Sequence, residues 1–296
     1  MTVRDGVMRV LMQEDLNFLF TNRLPRRWLS RFMGWLSGVE QPIVARPSIA
    51  LWRFFADVDL SDAAPAHYRS LREAFTRSLQ PGARPIDPAP DLLVSPCDAI
   101  VGACGEIEAG HAYQVKGSPY SLGELAGVDA AGFERGRFVT LRLTAGMYHR
   151  FHAPHDLIVE AVNYISGDTW NVNPIALKRV ERLFCRNERA VIRARLHPDG
   201  PVVLIVAVAA ILVAGIRLQF LDVPAMLRRY GPGRVALDVA LQRGEEMGWF
   251  EHGSTIIMFV PEGVDFSDGI ETGQQLRMGE PLFRLRPAAE PTSSTD

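Results

Sequence analysis

From Pro81 onward the apolar residues fall into short runs cut by glycine, proline and aspartate. The runs are Leu92–Val94, Ile100–Ala103, Phe138–Leu143, Ile158–Ile165, Ala190–Leu196, Val202–Val213, Arg234–Leu241 and Thr255–Val260. Runs of this length, rich in β-branched residues and bounded by turn formers, predict strands. One short helix is expected at Ser121–Ala126. Before Pro81 the spacing is helical. Val7–Phe20 predicts a first helix and Arg26–Leu36 a second, opened by Pro25. In the second, Trp28, Leu29, Phe32, Met33 and Leu36 share a face, while Arg26, Arg27 and Arg31 lie away from its centre. Further helices are expected at Ile49–Phe55 and His67–Leu79, with Asp57–Pro65 as a polar connector. The pattern therefore predicts an α+β chain. A helical layer covers residues 1–80, a β-rich domain covers 81–286, and residues 287–296 form a disordered tail.

Composition narrows the class. Of 296 residues, 47% are hydrophobic and 22% charged, which is ample material for a large core. The net charge of −2 argues against nucleic acid as a partner. Val202–Ile216 is apolar and uncharged, but shorter than the roughly 20 residues that a membrane-spanning helix needs. It reads as one or two buried strands. No secretory leader is expected, because Arg4, Asp5, Arg9, Glu14 and Asp15 interrupt the first residues. Cys97, Cys104 and Cys185 are an odd set without zinc-ligand spacing and read as reduced, buried thiols. Lys116 and Lys178 are the chain's two lysines.

Candidate chemistry collects in four segments. Gly253-Ser254-Thr255 follows a glycine-rich run and opens an apolar strand. A serine in a tight bend there can reach the carbonyl just before it. Asp98 follows a proline turn in Ser95-Pro-Cys-Asp. An aspartate at that point also serves as an ordinary turn or cap residue. In Met147-Tyr-His-Arg-Phe-His-Ala-Pro154, His149 and His152 are three apart, so in a helical turn they would share a face. Metal binding by this pair is not expected, because His-x-x-His without a third placed ligand is a weak pattern. The fourth segment, Gln114–Leu122, carries Lys116, Gly117 and two serine hydroxyls.

Taken in order, these segments resemble phosphatidylserine decarboxylase proenzymes over most of the chain. The resemblance rests on Pro-x-Asp at Asp98, Lys-Gly-x-x-Tyr-Ser-Leu at Lys116–Leu122 and Tyr-His-Arg-x-His-x-Pro at Tyr148–Pro154. It continues through Asn173-Pro174, Asn187-Glu188-Arg189, and Gly-Glu-Glu-Met-Gly-x-Phe leading into Gly-Ser-Thr. It implies that the β-rich domain is catalytic and that the chain cuts itself between Gly253 and Ser254. The products would be chains 1–253 and 254–296, held together as a heterodimer; a further dimer of that pair is common in the family.

The same resemblance gives Ser254 as the nucleophile, His152 as its base, Asp98 as the group orienting the base, and His149 as a second histidine used in decarboxylation. A serine needs such a base to lose its proton, and a carboxylate fixes the tautomer of that base. The implied cofactor is a pyruvoyl group derived from Ser254. Its ketone would act as the electron sink usually supplied by pyridoxal phosphate. Lys116 and Gly117 are candidates for holding the anionic headgroup, and no metal is implied. The implied partners are a phospholipid substrate and a membrane surface, with the protein peripheral on the cytoplasmic face. A basic helix with Trp28 and Phe32 on its apolar side suits such a surface.

The chain departs from the family pattern at His252, where leucine is common, at Ala99 for glycine, in Thr144–Met147, and in Ala207-Val208-Ala209. Two other readings remain open at this level. A serine hydrolase could use Ser254, His152 and Asp98, although there is no Gly-x-Ser-x-Gly elbow. An inactive membrane-binding relative would keep the helices without the chemistry. A biotinyl- or lipoyl-like carrier would need a lysine in the glycine-spaced hairpins of Gly263–Phe283, and none follows Lys178.

Overall fold

The computed structural model describes residues 26–56, 58–64, 67–115, 118–210, 215–251 and 254–286. The predicted helix Val7–Phe20, the tail from 287, and Lys116, Gly117, His252 and Gly253 lie outside these residues.

Three helices come first: α1 (Arg26–Ser37), α2 (Pro42–Ala56) and α3 (Leu71–Phe75). Helix α2 opens on Pro42, whose missing N–H costs nothing at a first turn. It is longer than the predicted Ile49–Phe55 and carries Pro47 in its interior. The predicted helix His67–Leu79 is shorter in the structure. Ser70 caps α3, accepting a hydrogen bond from the Glu73 amide at 3.2 Å. Beyond Phe75 the backbone leaves the helix, and the carbonyls of Thr76 and Arg77 turn to accept the Arg150 guanidinium.

Strands begin at Leu92: β1 (Leu92–Val94), β2 (Ala99–Ile107), β3 (His111–Val115), β4 (Ser118–Ser121), β5 (Gly136–Leu143), β6 (Arg150–His152), β7 (Leu157–Ile165), β8 (Arg189–Leu196) and β9 (Val202–Ala209). They continue as β10 (Ile216–Leu218), β11 (Gly233–Leu241), β12 (Glu246–Phe250), β13 (Ser254–Pro261), β14 (Val264–Phe266), β15 (Gln275–Leu276) and β16 (Pro281–Leu285). Each predicted strand is present, although the run predicted over Val202–Val213 is a strand only to Ala209, with 211–213 outside the described residues. Four short helices, α4 (Leu122–Ala126), α5 (Pro174–Arg179), α6 (Leu183–Arg186) and α7 (Val223–Tyr230), fill the connections. The α+β, β-rich class is therefore observed.

The main sheet has eight antiparallel strands in the order β11-β7-β8-β9-β13-β5-β2-β15. Its central strands β9 and β13 are almost wholly buried, which explains their unbroken apolar runs. Two three-stranded sheets, β10-β12-β6 and β1-β16-β14, and the two-stranded β3-β4 complete the described sheets. Residues after Ser254 are woven throughout. Strand β13 lies between β5 and β9, β15 pairs with β2, and β16 lies between β1 and β14.

Several motif residues prove to be scaffold. Asn173 caps α5 by accepting the Ala176 amide at 2.8 Å. The Asn187 amide donates to the carbonyls of Trp170 and Ala209, each at 2.8 Å. The buried Arg189 guanidinium donates to the carbonyls of Leu125, Glu124, Cys185 and Asn187. The Gln114 side chain bonds Leu177, Val180 and Leu183. Of the three thiols, Cys97 is buried as expected, whereas Cys104 and Cys185 are only partly so; all three are free.

Candidate active site

Ser254 is the first residue of β13, paired with Leu143 of β5 on one side and Ala209 of β9 on the other. It is 0% exposed. Its hydroxyl has no hydrogen-bond partner among the described residues. A buried, unpaired hydroxyl costs on the order of 1–3 kcal/mol, so its persistence calls for a reason outside stability. The approach to it is also anchored: Glu251 is buried and paired with Arg217 at 3.2 Å.

His149 lies just before β6 and His152 ends it. Because this segment is extended, His149 and His152 do not share a face as they would in a helical turn; side chains alternate along a strand. His149 lies one residue before β6 and is 0% exposed. Its Nδ1 lies 2.8 Å from the Met147 carbonyl, and its ring lies 4.0 Å from that of Phe75 between centroids. A carbonyl only accepts, so Nδ1 carries the proton. The His149 carbonyl takes the Phe250 amide at 3.0 Å. Phe250 is four residues before Ser254, a span of at most about 14 Å when extended. This pairing brings the His149 segment near the predicted cut.

His152 ends β6, opposite Glu246 of β12. Its Nδ1 lies 2.8 Å from the Gly244 carbonyl, so that nitrogen is the protonated one and Nε2 is the basic one. Nε2 meets the Tyr148 hydroxyl at 3.0 Å. Burial lowers the proton affinity of His152; the Gly244 hydrogen bond and the nearby Glu246 charge partly oppose that shift. Burial likewise pushes the Tyr148 phenol up, so it remains a donor.

The Asp98 segment is tied to this pair two residues earlier, since the His152 amide donates to the Pro96 carbonyl at 2.8 Å. Its carboxylate points elsewhere. It accepts Arg84 Nε at 2.8 Å and the Met278 amide at 2.9 Å, while Arg84 also holds Asp62 at 2.6 Å. Asp98 raises the proton affinity of His152 through space, as one of the smaller contributions. No hydrogen bond joins Asp98 to His152 in this structure: the contact expected of an orienting carboxylate is made by the Gly244 carbonyl.

Around the site, Arg150 of the Tyr-His-Arg motif pairs with Glu246 of the Gly-Glu-Glu-Met-Gly motif, at 3.0 and 2.8 Å. That ion pair joins two motifs that lie nearly a hundred residues apart in the chain. Tyr148, Gly244 and Arg84 were not assigned roles from sequence. Tyr148 and Gly244 both lie within motifs that carry the resemblance, whereas Arg84 is recruited by the fold and carries no local signal.

The arrangement is a buried serine hydroxyl at a strand head, an imidazole with a fixed tautomer, and a second buried imidazole. Comparison with known proteins gives the family. Residues 71–284 match the family model described as phosphatidylserine decarboxylase. The chain is 39% identical over 275 residues to the phosphatidylserine decarboxylase proenzyme of Halorhodospira halophila, covering 90% of this chain and 92% of that one. It is 33% identical to the proenzyme of Brevibacillus brevis, covering 88% of this chain and 95% of the other. With the proenzyme of Shewanella frigidimarina the identity is 34%, over 89% and 96%. On both the family match and these identities, the chain belongs to the phosphatidylserine decarboxylase family.

Proposed function

We propose that this protein is made as a proenzyme, cuts itself between Gly253 and Ser254, and then decarboxylates phosphatidylserine to phosphatidylethanolamine and carbon dioxide at a lipid surface. The observation that carries the reading is the Ser254 hydroxyl, buried and unpartnered at the head of the central strand. That position suits a residue whose fate is to become the new N-terminus of the shorter chain.

In self-cleavage the Ser254 hydroxyl attacks the Gly253 carbonyl carbon. The peptide becomes an ester as the amide nitrogen of Ser254 takes a proton. His152 receives the hydroxyl proton at Nε2, and the Tyr148 hydroxyl, which sits on that nitrogen, relays it. Gly244 holds the tautomer that leaves Nε2 free to accept. Asp98 supports the base by its charge and ties the segment to Met278, beyond the cut. Elimination then releases chain 1–253, and hydrolysis with loss of ammonia leaves a pyruvoyl group on chain 254–296. Once formed on Ser254, that group would supply the electron sink that decarboxylation of an amino headgroup needs. His149 holds or delivers the proton that replaces the carboxylate, using Nε2 because Nδ1 is committed to Met147. Lys116 and Gly117 remain the proposed headgroup contacts.

The lipid surface is met by α1 and α2. Trp35, Ile43, Leu51 and Phe54 are 66, 85, 59 and 48% exposed, an apolar face without a protein partner among the described residues. Over residues 26–56 there are five arginines against one glutamate, which suits anionic lipid. No described helix is long and apolar enough to cross a membrane. The exposed apolar face and the arginines beside it support peripheral seating, and the cytoplasmic face is proposed from the family resemblance.

The direct test supplies purified protein with vesicles containing phosphatidylserine labelled at the serine carboxyl. Release of labelled carbon dioxide with matching appearance of phosphatidylethanolamine is expected. Processed protein that releases none would contradict the assigned reaction.

A further inference from the structure

The segment Thr144–His149 joins β5, which borders Ser254, to β6. It has little regular pairing of its own: a turn from the Met147 amide to the Thr144 carbonyl at 3.0 Å, and the Thr144 amide on the Met147 sulfur at 3.4 Å. The carbonyls of Ala145, Gly146 and Met147 are held from outside. The Trp52 indole N–H of α2 donates to the Ala145 carbonyl at 2.9 Å. The Arg77 guanidinium donates to the Gly146 carbonyl at 3.1 Å and the Met147 carbonyl at 3.4 Å. The Met147 carbonyl is also the acceptor of His149 Nδ1. Arg77 and His149 thus share one acceptor.

The rings of the neighbouring residues form a continuous chain of tilted contacts. Trp52 packs on Phe75 at 5.7 Å, Phe75 packs on His149 at 4.0 Å, and the Arg77 guanidinium lies 5.8 Å from the Trp52 ring. Arg77 is itself buried. On either side of Trp52 along α2, Leu51 and Phe54 face outward.

We propose that Trp52 and Arg77 are positioning residues that tie the placement of His149 to the seat of α2, so that docking of α2 on lipid raises turnover. The inference rests on the reading that α2 meets the lipid and that His149 serves decarboxylation. One helix carries both the outward apolar side chains and the hydrogen bond that fixes the loop. A shift of α2 is felt at Ala145 directly, and at His149 through Phe75. An ångström of misplacement at a reacting group costs up to about a hundredfold in rate.

The test uses full-length, processed protein. Trp52→Phe keeps an aromatic ring on Phe75 but loses the N–H; Arg77→Lys keeps the charge but cannot span two carbonyls. Three quantities are read: extent of self-cleavage by mass, sedimentation with anionic vesicles, and kcat and KM on vesicles and on a short-chain serine phospholipid below its micelle concentration. The parent is expected to turn over vesicle substrate faster than monomeric substrate. Trp52→Phe is expected to self-cleave and bind vesicles as the parent does, with kcat on vesicles down about tenfold, KM held, and the vesicle-to-monomer rate ratio reduced towards one. A Leu51→Ser/Phe54→Ser pair should lower the same ratio by losing vesicle binding.

An unchanged ratio in Trp52→Phe, whether kcat is unchanged or falls equally on both substrates, would overturn the coupling. If Arg77→Lys does not fold, Trp52→Phe decides alone. A parent protein that decarboxylates neither substrate would instead contradict the underlying reading, and the inference with it.

Discussion

At His152, one carbonyl decides which nitrogen is the base. The Gly244 oxygen can only accept, so Nδ1 is protonated and Nε2 faces the Tyr148 hydroxyl. Tyr148→Phe removes that hydroxyl while keeping the ring stacked on His152. Self-cleavage should slow by about 10–100-fold, read as the half-time for loss of the uncut chain. An unchanged half-time would reduce Tyr148 to packing. Burial also sets the direction of the pH dependence. It depresses the native proton affinity of His152 below its ordinary value near 6.5, so the unfolded chain binds this proton more readily. The stability that depends on this residue is complete above about 6.5 and is lost as pH falls through the lowered native value. The base itself stays neutral into that same range. Initial rates of cleavage should therefore be flat down to about pH 6.5 and fall only below it; a midpoint above that value would contradict a buried, neutral base. The sequence displayed Asp98, His149, His152 and Ser254 through a family resemblance carried by their order. It displayed Gly244 as part of the Gly-Glu-Glu-Met-Gly motif but not the contact of its carbonyl 92 residues away, and it could not display Arg84, because one arginine among many carries no periodic or compositional mark.

At the scale of elements, docking and packing make separate demands. If α2 meets lipid through its outward face, the Leu51→Ser/Phe54→Ser pair should abolish most sedimentation with anionic vesicles while leaving self-cleavage intact. Retained binding would remove α2 from the surface. Gly248 in β12 answers to packing instead. A Cβ there would lie 2.1 Å from the Arg217 carbonyl and 3.0 Å from the Phe151 ring. Gly248→Ala must therefore push β10 and β6 off β12, at a cost of about 1–3 kcal/mol, seen as a lower midpoint of thermal unfolding. An unaffected midpoint would mean that the three-strand sheet is looser than its geometry. The strands of the main sheet were legible because burial on both faces leaves continuous apolar runs, as in Val202–Ala209 and Ser254–Pro261. Strands β6 and β12 were not, since they are short and carry His, Arg, Glu and Gly that the site and its ion pair require. Helix α3 was overextended for a similar reason. The apolar period continues past Phe75, but the carbonyls of Thr76 and Arg77 are recruited by Arg150, 74 and 73 residues away.

In the whole molecule, the residues after Ser254 are inseparable from the rest. Strand β13 has a neighbour on each side, β16 is bracketed by β1 and β14, Met278 is tied to Asp98, and Asp265 is tied to Arg137. A cut at the head of β13 breaks one covalent bond and none of these pairings. Chains 1–253 and 254–296 should accordingly co-elute in native gel filtration and part only in denaturant. The architecture thus lets the precursor fold first and acquire its reactive end afterwards, within a core already formed. The measurement that tests this account most directly is the intact mass of freshly purified protein under denaturing conditions, beside a Ser254→Ala control. The account predicts two chains from the parent, divided between Gly253 and Ser254, the shorter carrying a pyruvoyl mass and no free amine, and one uncut chain from the control. A single uncut chain in both samples would contradict it.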